Sequence, residues 1–166
     1  MATIEQNRFE SPGLLGGLGS RVAALYAALG HTLIVSFALL MTRIGVGMVF
    51  WKSAHTKIDA DYGVTQTTVF LFQEEYQVPL LPPELAATLA TYMELSMPVL
   101  LWAGLATRLS ALALFGMTFV IQFFVYPNLW SDHIFWAGAL LILIAKGPGL
   151  FSLDQFAGPI LTGRKR

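Results

Sequence analysis

The chain has 166 residues, of which 55% are hydrophobic and 12% charged, with zero formal net charge and no cysteine. A water-soluble domain carries about 25% charged residues, so too little charge is present to cover a water-facing surface. Mean hydropathy is +0.63, and lipid is the expected outer solvent. The balanced charge offers no basic excess for nucleic acid. The missing thiols exclude disulfides, thiolate metal sites and a dithiol relay.

The first residues, with Glu5, Arg8, Glu10 and several glycines, lack the basic start and adjoining apolar core of a cleavable signal peptide. Residues 1–20 are expected to form a disordered tail. Arg21–Leu29 is short and mildly amphipathic, either lying along the interface or extending the first span. That span reads Leu33–Trp51 and is broken by Arg43. In the loop 52–85, Thr67–Tyr76 is apolar and closes on Gln73, Glu74 and Glu75. It predicts a short interfacial helix over the outer mouth of the bundle, with Val69, Phe70 and Phe72 dipping into the interface. Pro79, Pro82 and Pro83 punctuate the approach to the second span.

The second span reads Ala86–Ala106 and contains Glu94 and Pro98; a tight hairpin at Thr107–Arg108 follows Gly104. The third reads Leu109–Tyr126 with Gln122 inside, and ends where Pro127 disfavours helical geometry at Tyr126. The fourth reads Ser131–Ala145, short for a hydrocarbon core that takes about 20 residues to cross. Ser131 is its expected N-cap, and Gly147-Pro148-Gly149 its stop. No internal repeat is visible. The predicted fold class is an all-α membrane protein, a four-helix transmembrane bundle over residues 21–155 followed by a basic tail, 156–166.

Lysine and arginine placement sets orientation. Arg8, Arg21, Arg108, Lys146, Arg164, Lys165 and Arg166 fall on one side, against Lys52 and Lys57 on the other. Both termini are therefore expected in the cytoplasm, and a bacterial inner membrane is the expected location.

Two charges inside hydrocarbon need an explanation. Arg43 is roughly 15 Å above the start of span one and Glu94 roughly 12 Å below the outer start of span two, at about 1.5 Å per residue. An isolated charge there costs at least about 2.5–3.5 kcal/mol, so an Arg43–Glu94 ion pair is expected in the bundle interior. Pro98 removes the helical donor of the Glu94 carbonyl. Gln122, Asp132, His133, Trp130, Trp136, Tyr126, His55 and Lys57 fall in the outer half. Together they predict an outward pocket floored by Arg43 and Glu94. The plainer alternatives are interfacial anchoring for Trp51, Trp102 and Trp130 and snorkelling for Lys52 and Lys57. For the Arg–Glu pair the alternative is a register role, and for His133 a capping role. Gly45, Gly47, Gly104, Gly116 and Gly138 are expected to allow close helix packing. His31, His55 and His133 are too scattered for a metal or bis-histidine haem site.

Several short motifs stand in an informative order: Arg43-Ile-Gly45 with Lys57 after it; Glu94-x-x-x-Pro98; Gly104-x-x-Thr107-Arg108; Pro127-x-x-Trp130-x-x-His133-x-x-Trp136; and Gly147-Pro148-Gly149-x-x-Ser152-x-Asp154. Over Leu33 to Gln155 the chain resembles the DoxX family of small bacterial membrane proteins. That family is pictured as a four-helix bundle and is similar to the quinone-linked subunit of thiosulfate:quinone oxidoreductase. The resemblance implies a quinone- or redox-associated role.

On this reading the chain binds a quinone, either ubiquinone or menaquinone, and works with a protein electron donor or as a homo-oligomer. Glu94 and His133 are the expected catalytic, proton-carrying groups, and Arg43, Gln122, Trp136 and Lys57 the expected cofactor contacts; no metal site is expected. A non-catalytic membrane scaffold and a small-solute transporter are the competing readings.

Overall fold

From Leu14 to His55 no proline interrupts the chain, so every main-chain amide beyond the first turn can bond within one helix. A computed structural model, describing residues 14–155, places helix α1 over Leu14–His55, 42 residues. The helix takes in residues 14–20, which the sequence reading assigned to a loose tail. Residues 1–13 and the expected basic tail, 156–166, lie outside the described residues. Two compact units divide at residue 34. In the first, the described part is the early length of α1, with Val22, Leu25, Tyr26, Leu29, Leu33 and Ile34 exposed. Everything that follows concerns the second, from Val35 onward.

After α1 the chain makes a small closed turn. The Asp59 carboxylate accepts from the amides of Asp61 (3.0 Å) and Gly63 (2.8 Å), and Ile58 pairs with Val64 in an isolated antiparallel bridge. Thr65 then caps helix α2, Gln66–Leu71, by accepting from the Thr68 amide. The helix widens into one π-turn over Phe72–Tyr76 and stops at Gln77, whose φ is 42°. The short helix expected in this loop is therefore present. Its Phe72 turns into the protein against Ala86 and Ala87, while Phe70 remains exposed.

Helix α3, Pro83–Ala103, starts with Pro83 in its first turn and runs on through Pro98. A glycine is required at its end: Gly104 has φ 66°, and a side chain there would meet Arg43 and Ser152. Helix α4, Thr107–Val120, also widens into a π-turn, Ile121–Val125. Helix α5, Trp130–Lys146, begins one residue before the expected start, and its N-cap is Leu129, which makes no side-chain cap; Ser131 lies inside the first turn.

Ser20–His55, Pro83–Ala103 and Thr107–Val125 are long and apolar enough to cross a membrane. At 17 residues α5 is about 26 Å long, slightly short of the roughly 30 Å hydrocarbon core. No strand occurs among the described residues. One apolar cluster joins Leu39, Val46 and Phe50 of α1, Leu101 of α3, Ala111 and Leu114 of α4, and Leu140 and Leu143 of α5.

Of the five glycines expected to allow close packing, two do so. At Gly47 an added Cβ would meet the Trp102 indole at 2.5 Å, and Gly104 is enclosed as described; Gly45, Gly116 and Gly138 face open space.

The segment 147–155 locks one end of the helices, hereafter the turn end. Leu150 donates its amide to Ser36 Oγ (3.1 Å), and Asp154 donates its amide to Gly104 O (2.8 Å). The Asp154 carboxylate accepts from the Ala106 and Thr107 amides at 2.7 and 2.9 Å. It thus caps α4 from outside the helix, where free amides and the helix dipole favour a negative charge. Replacing Asp154 by alanine should cost about 1–2 kcal/mol, read as a lower thermal midpoint of the protein in detergent micelles; asparagine should recover part of the loss.

Candidate functional site at the loop end

The opposite, loop end of the helices holds the chemistry. Ser53 is in the last turn of α1, and Lys57 follows in the turn just after the helix, its amide bonded to Ala54 O at 2.9 Å. Lys57 Nζ lies 2.7 Å from Ser53 Oγ and 2.6 Å from Glu94 Oε2, and Ser53 Oγ donates to Glu94 Oε1 at 3.3 Å. The side chains of Lys57 and Glu94 are only 12% and 4% exposed. An ion pair this buried is held by geometry and added hydrogen bonds, because desolvation consumes most of its attraction.

This pair forms the polar end of a cavity of about 520 Å³ between α3 and α4, roofed by Phe72 and Tyr76 and otherwise walled by apolar residues such as Leu89, Met93, Met117 and Ile121. Two tyrosines complete the polar end. Each stands at a π-turn: Tyr76 is the last residue of the first, and Tyr126 follows the second. Their hydroxyls are 3.1 Å apart and their rings meet edge to face at 5.7 Å. Burial, and then the hydrogen bond to Tyr126, push the Tyr76 phenol above its ordinary pKa. It therefore keeps its proton throughout the physiological range and can donate a hydrogen bond.

The expected Arg43–Glu94 pair does not form. Arg43 is fully buried at the turn end, where Nη1 donates to Leu101 O at 3.1 Å and Nη2 donates to Phe151 O. The cause is helix register. The sequence reading placed Leu33 level with the lower end of span two, but the α3–α4 turn packs on Arg43 itself through Gly104. Val35–Thr42 run past that turn beside the segment 147–155, as Ser36 shows by accepting from Leu150. Ser53, ten residues beyond Arg43 and roughly 15 Å along α1, is what lies level with Glu94. Arg43 ties the α3 carboxyl end to the closing segment and does not line the cavity.

His133, Gln122 and Trp136 form a separate group. His133 Nδ1 is 2.6 Å from Gln122 Oε1, and Gln122 Nε2 donates to Pro127 O at 2.8 Å. The Pro127 carbonyl can only accept, which turns the Gln122 oxygen toward the histidine and places a proton on Nδ1. The Trp136 ring is 4.9 Å from that of His133. His133 and Gln122 line a smaller crevice of about 100 Å³ with Phe119, Phe123 and Trp130. Adjacent residues of one π-turn thus serve different cavities, Ile121 the large one and Gln122 the small one.

The single pocket expected from the sequence is therefore three places: Glu94 with Lys57, His133 with Gln122 and Trp136, and Arg43. Ser53 and Tyr76 went unnoticed as site residues, although the Ser53–Lys57 spacing of four was a usable signal. Among the described residues no group of three or more histidine, aspartate or glutamate side chains could hold a metal ion.

A family model described as DoxX matches residues 38–127, more than half of the chain. The matched stretch contains Arg43, Ser53, Lys57, Tyr76, Glu94, Gln122 and Tyr126, and ends before His133. No curated relative and no solved structure matches.

Proposed function

This chain belongs to the DoxX family, and from that membership we propose that it is a redox-associated membrane subunit binding a quinone in the loop-end cavity. The observation that carries the reading is the Lys57–Glu94 pair set into the wall of an otherwise apolar cavity. A quinone needs an apolar slot for ring and tail, with donors or proton carriers at its carbonyl oxygens. A volume of about 520 Å³ lies in the range of small-molecule sites. Glu94 carries protons to the ligand, Lys57 fixes the carboxylate, and Tyr76 with Tyr126 borders the headgroup. His133, oriented by Gln122 and flanked by Trp136, is a second proton-carrying station on the other face of α4. Arg43 holds the frame.

In this proposal α5 is the fourth span of a four-helix bundle, the lysine and arginine bias puts both termini in the cytoplasm, and the loop end faces outward. The chain holds no thiol to carry electrons, and in this proposal a protein donor supplies them.

Titrating the purified protein in lipid nanodiscs with a short-tailed ubiquinone or menaquinone analogue tests this. Saturable binding is expected, weakened about tenfold or more in Glu94→Gln and in Lys57→Met, since hydrogen bonds to charged groups contribute about 1.5–3 kcal/mol. Absence of saturable binding, or affinity unchanged in both variants, overturns the proposal and favours a scaffold.

A further inference from the structure

A second cavity, of about 410 Å³, lies on the loop side of the first and differs from it in chemistry. Its lining includes Lys52, Thr56, Thr67 and Thr68, and no carboxylate. The two cavities share four residues: Ser53, Lys57, Tyr76 and Tyr126. Glu94 lines the apolar cavity alone. These shared residues make a thin polar partition. On one side is a hydroxyl- and lysine-lined space beside exposed Lys52 and Thr56; on the other is the apolar cavity with its buried carboxylate.

We propose that this partition is the proton port of the ligand cavity, through which Glu94 exchanges protons with water on the loop side by way of Ser53 and Lys57. The proposal rests on the quinone reading and adds a direction to it. Ser53 Oγ touches both Lys57 Nζ and Glu94 Oε1. A hydroxyl both accepts and donates, so Ser53 can pass its proton to Glu94 while taking one from the loop-side water. A quinone that receives two electrons from the protein donor also needs two protons at its oxygens. Glu94, a carboxylate in its pair with Lys57, first takes a proton through Ser53 and delivers it, is recharged by the same path, and delivers the second; the product is the quinol. On the loop side the ligand is held back by the bonded Tyr76–Tyr126 pair, which stands in the same partition. Between the cavity and the turn end stand the fully buried side chains of the apolar cluster, Leu101, Leu114, Leu140 and Leu143, and the fixed charge of Arg43 repels a proton in a medium of low dielectric. The charged and titratable groups facing the port are Lys52 at the end of α1, Lys57 in the turn after it, Glu94 from α3, Tyr76 from the first π-turn and Tyr126 just after the second.

The cysteine-free sequence allows a direct test. In sealed vesicles, Asp61→Cys marks the loop face and Arg108→Cys the turn face. A membrane-impermeant charged thiosulfonate should label Ser53→Cys, and independently Lys57→Cys, from the face that labels Asp61→Cys. A bound ubiquinone analogue should slow that labelling severalfold. Ala90→Cys, which lines the apolar cavity only, should react with a lipid-soluble maleimide and not with the charged reagent. In addition, proton uptake on dithionite reduction of the bound analogue should slow severalfold in Ser53→Ala, normalised to analogue bound. Two outcomes overturn the port: labelling of Ser53→Cys and Lys57→Cys from the Arg108→Cys face or from neither, or proton uptake unchanged in Ser53→Ala. If the analogue fails to bind while the labelling pattern holds, the quinone reading falls and the loop-side water access stands. If it binds with Glu94 dependence while the labelling fails, the port alone falls.

Discussion

Lys57→Met will destabilise the folded protein by about 3–5 kcal/mol, the range for removing one partner of a buried ion pair. The stranded Glu94 carboxylate is only 4% exposed, and Ser53 alone remains to meet it, through one hydrogen bond of 3.3 Å. Changing both residues, as in Lys57→Met with Glu94→Leu, removes the charge problem altogether and should restore most of the loss, because well-packed apolar side chains replace a buried pair at little cost. A double-mutant cycle followed by thermal unfolding in detergent should therefore give a coupling energy above about 1 kcal/mol for Lys57 with Glu94. The same cycle on Arg43 and Glu94 should give a value near zero. The reverse ranking would mean that the helix register described above is wrong.

Gly104→Ala is the second large effect, on the order of 4 kcal/mol, and its contributions are separable. The backbone at φ 66° disfavours any side chain by about 1–2 kcal/mol. The new methyl would stand 2.8 Å from Ser152 Cα, a backbone atom that cannot rotate away, and such overpacking costs about 1–3 kcal/mol. It would also displace the Arg43 guanidinium from the carbonyls of Leu101 and Phe151. Gly138→Ala is the control. Its Cβ meets nothing within 4 Å, and inside a helix alanine is favoured by up to about 1 kcal/mol. The thermal midpoint should fall sharply for Gly104→Ala and hold or rise for Gly138→Ala. Equal losses would remove the packed corner as the explanation.

Much of the helical layout was legible because apolar run length and proline position act locally. Pro83 opens α3 and Gly104 closes it, as their backbone preferences require. The short loop helix was visible in Thr67–Tyr76. Helix register was not legible. Hydropathy gives depth only relative to the assumed end of each span, and α1 has no marked end near Leu33. An error of ten residues there exchanged Lys57 for Arg43 as the partner of Glu94. The cap on α4 was hidden for a related reason, since Asp154 reaches it from 47 residues away. The two π-turns leave no recognised mark in the sequence, yet they bring Tyr76 against Tyr126 and set Gln122 and Ile121 on different cavities.

Leu81 and Leu89 line the large cavity and are also exposed on the outside of the protein, at 41% and 46%. The cavity is therefore bordered at Leu81 and Leu89 by apolar side chains that also face the outside of the protein. Under the quinone proposal a ligand would enter there from the bilayer, so occupancy would follow its mole fraction among the lipids and not its concentration in water. Lengthening an isoprenoid tail would raise apparent affinity in any assay referred to total volume, through partitioning alone. Comparisons between quinones of different chain length become meaningful only when dosed per lipid.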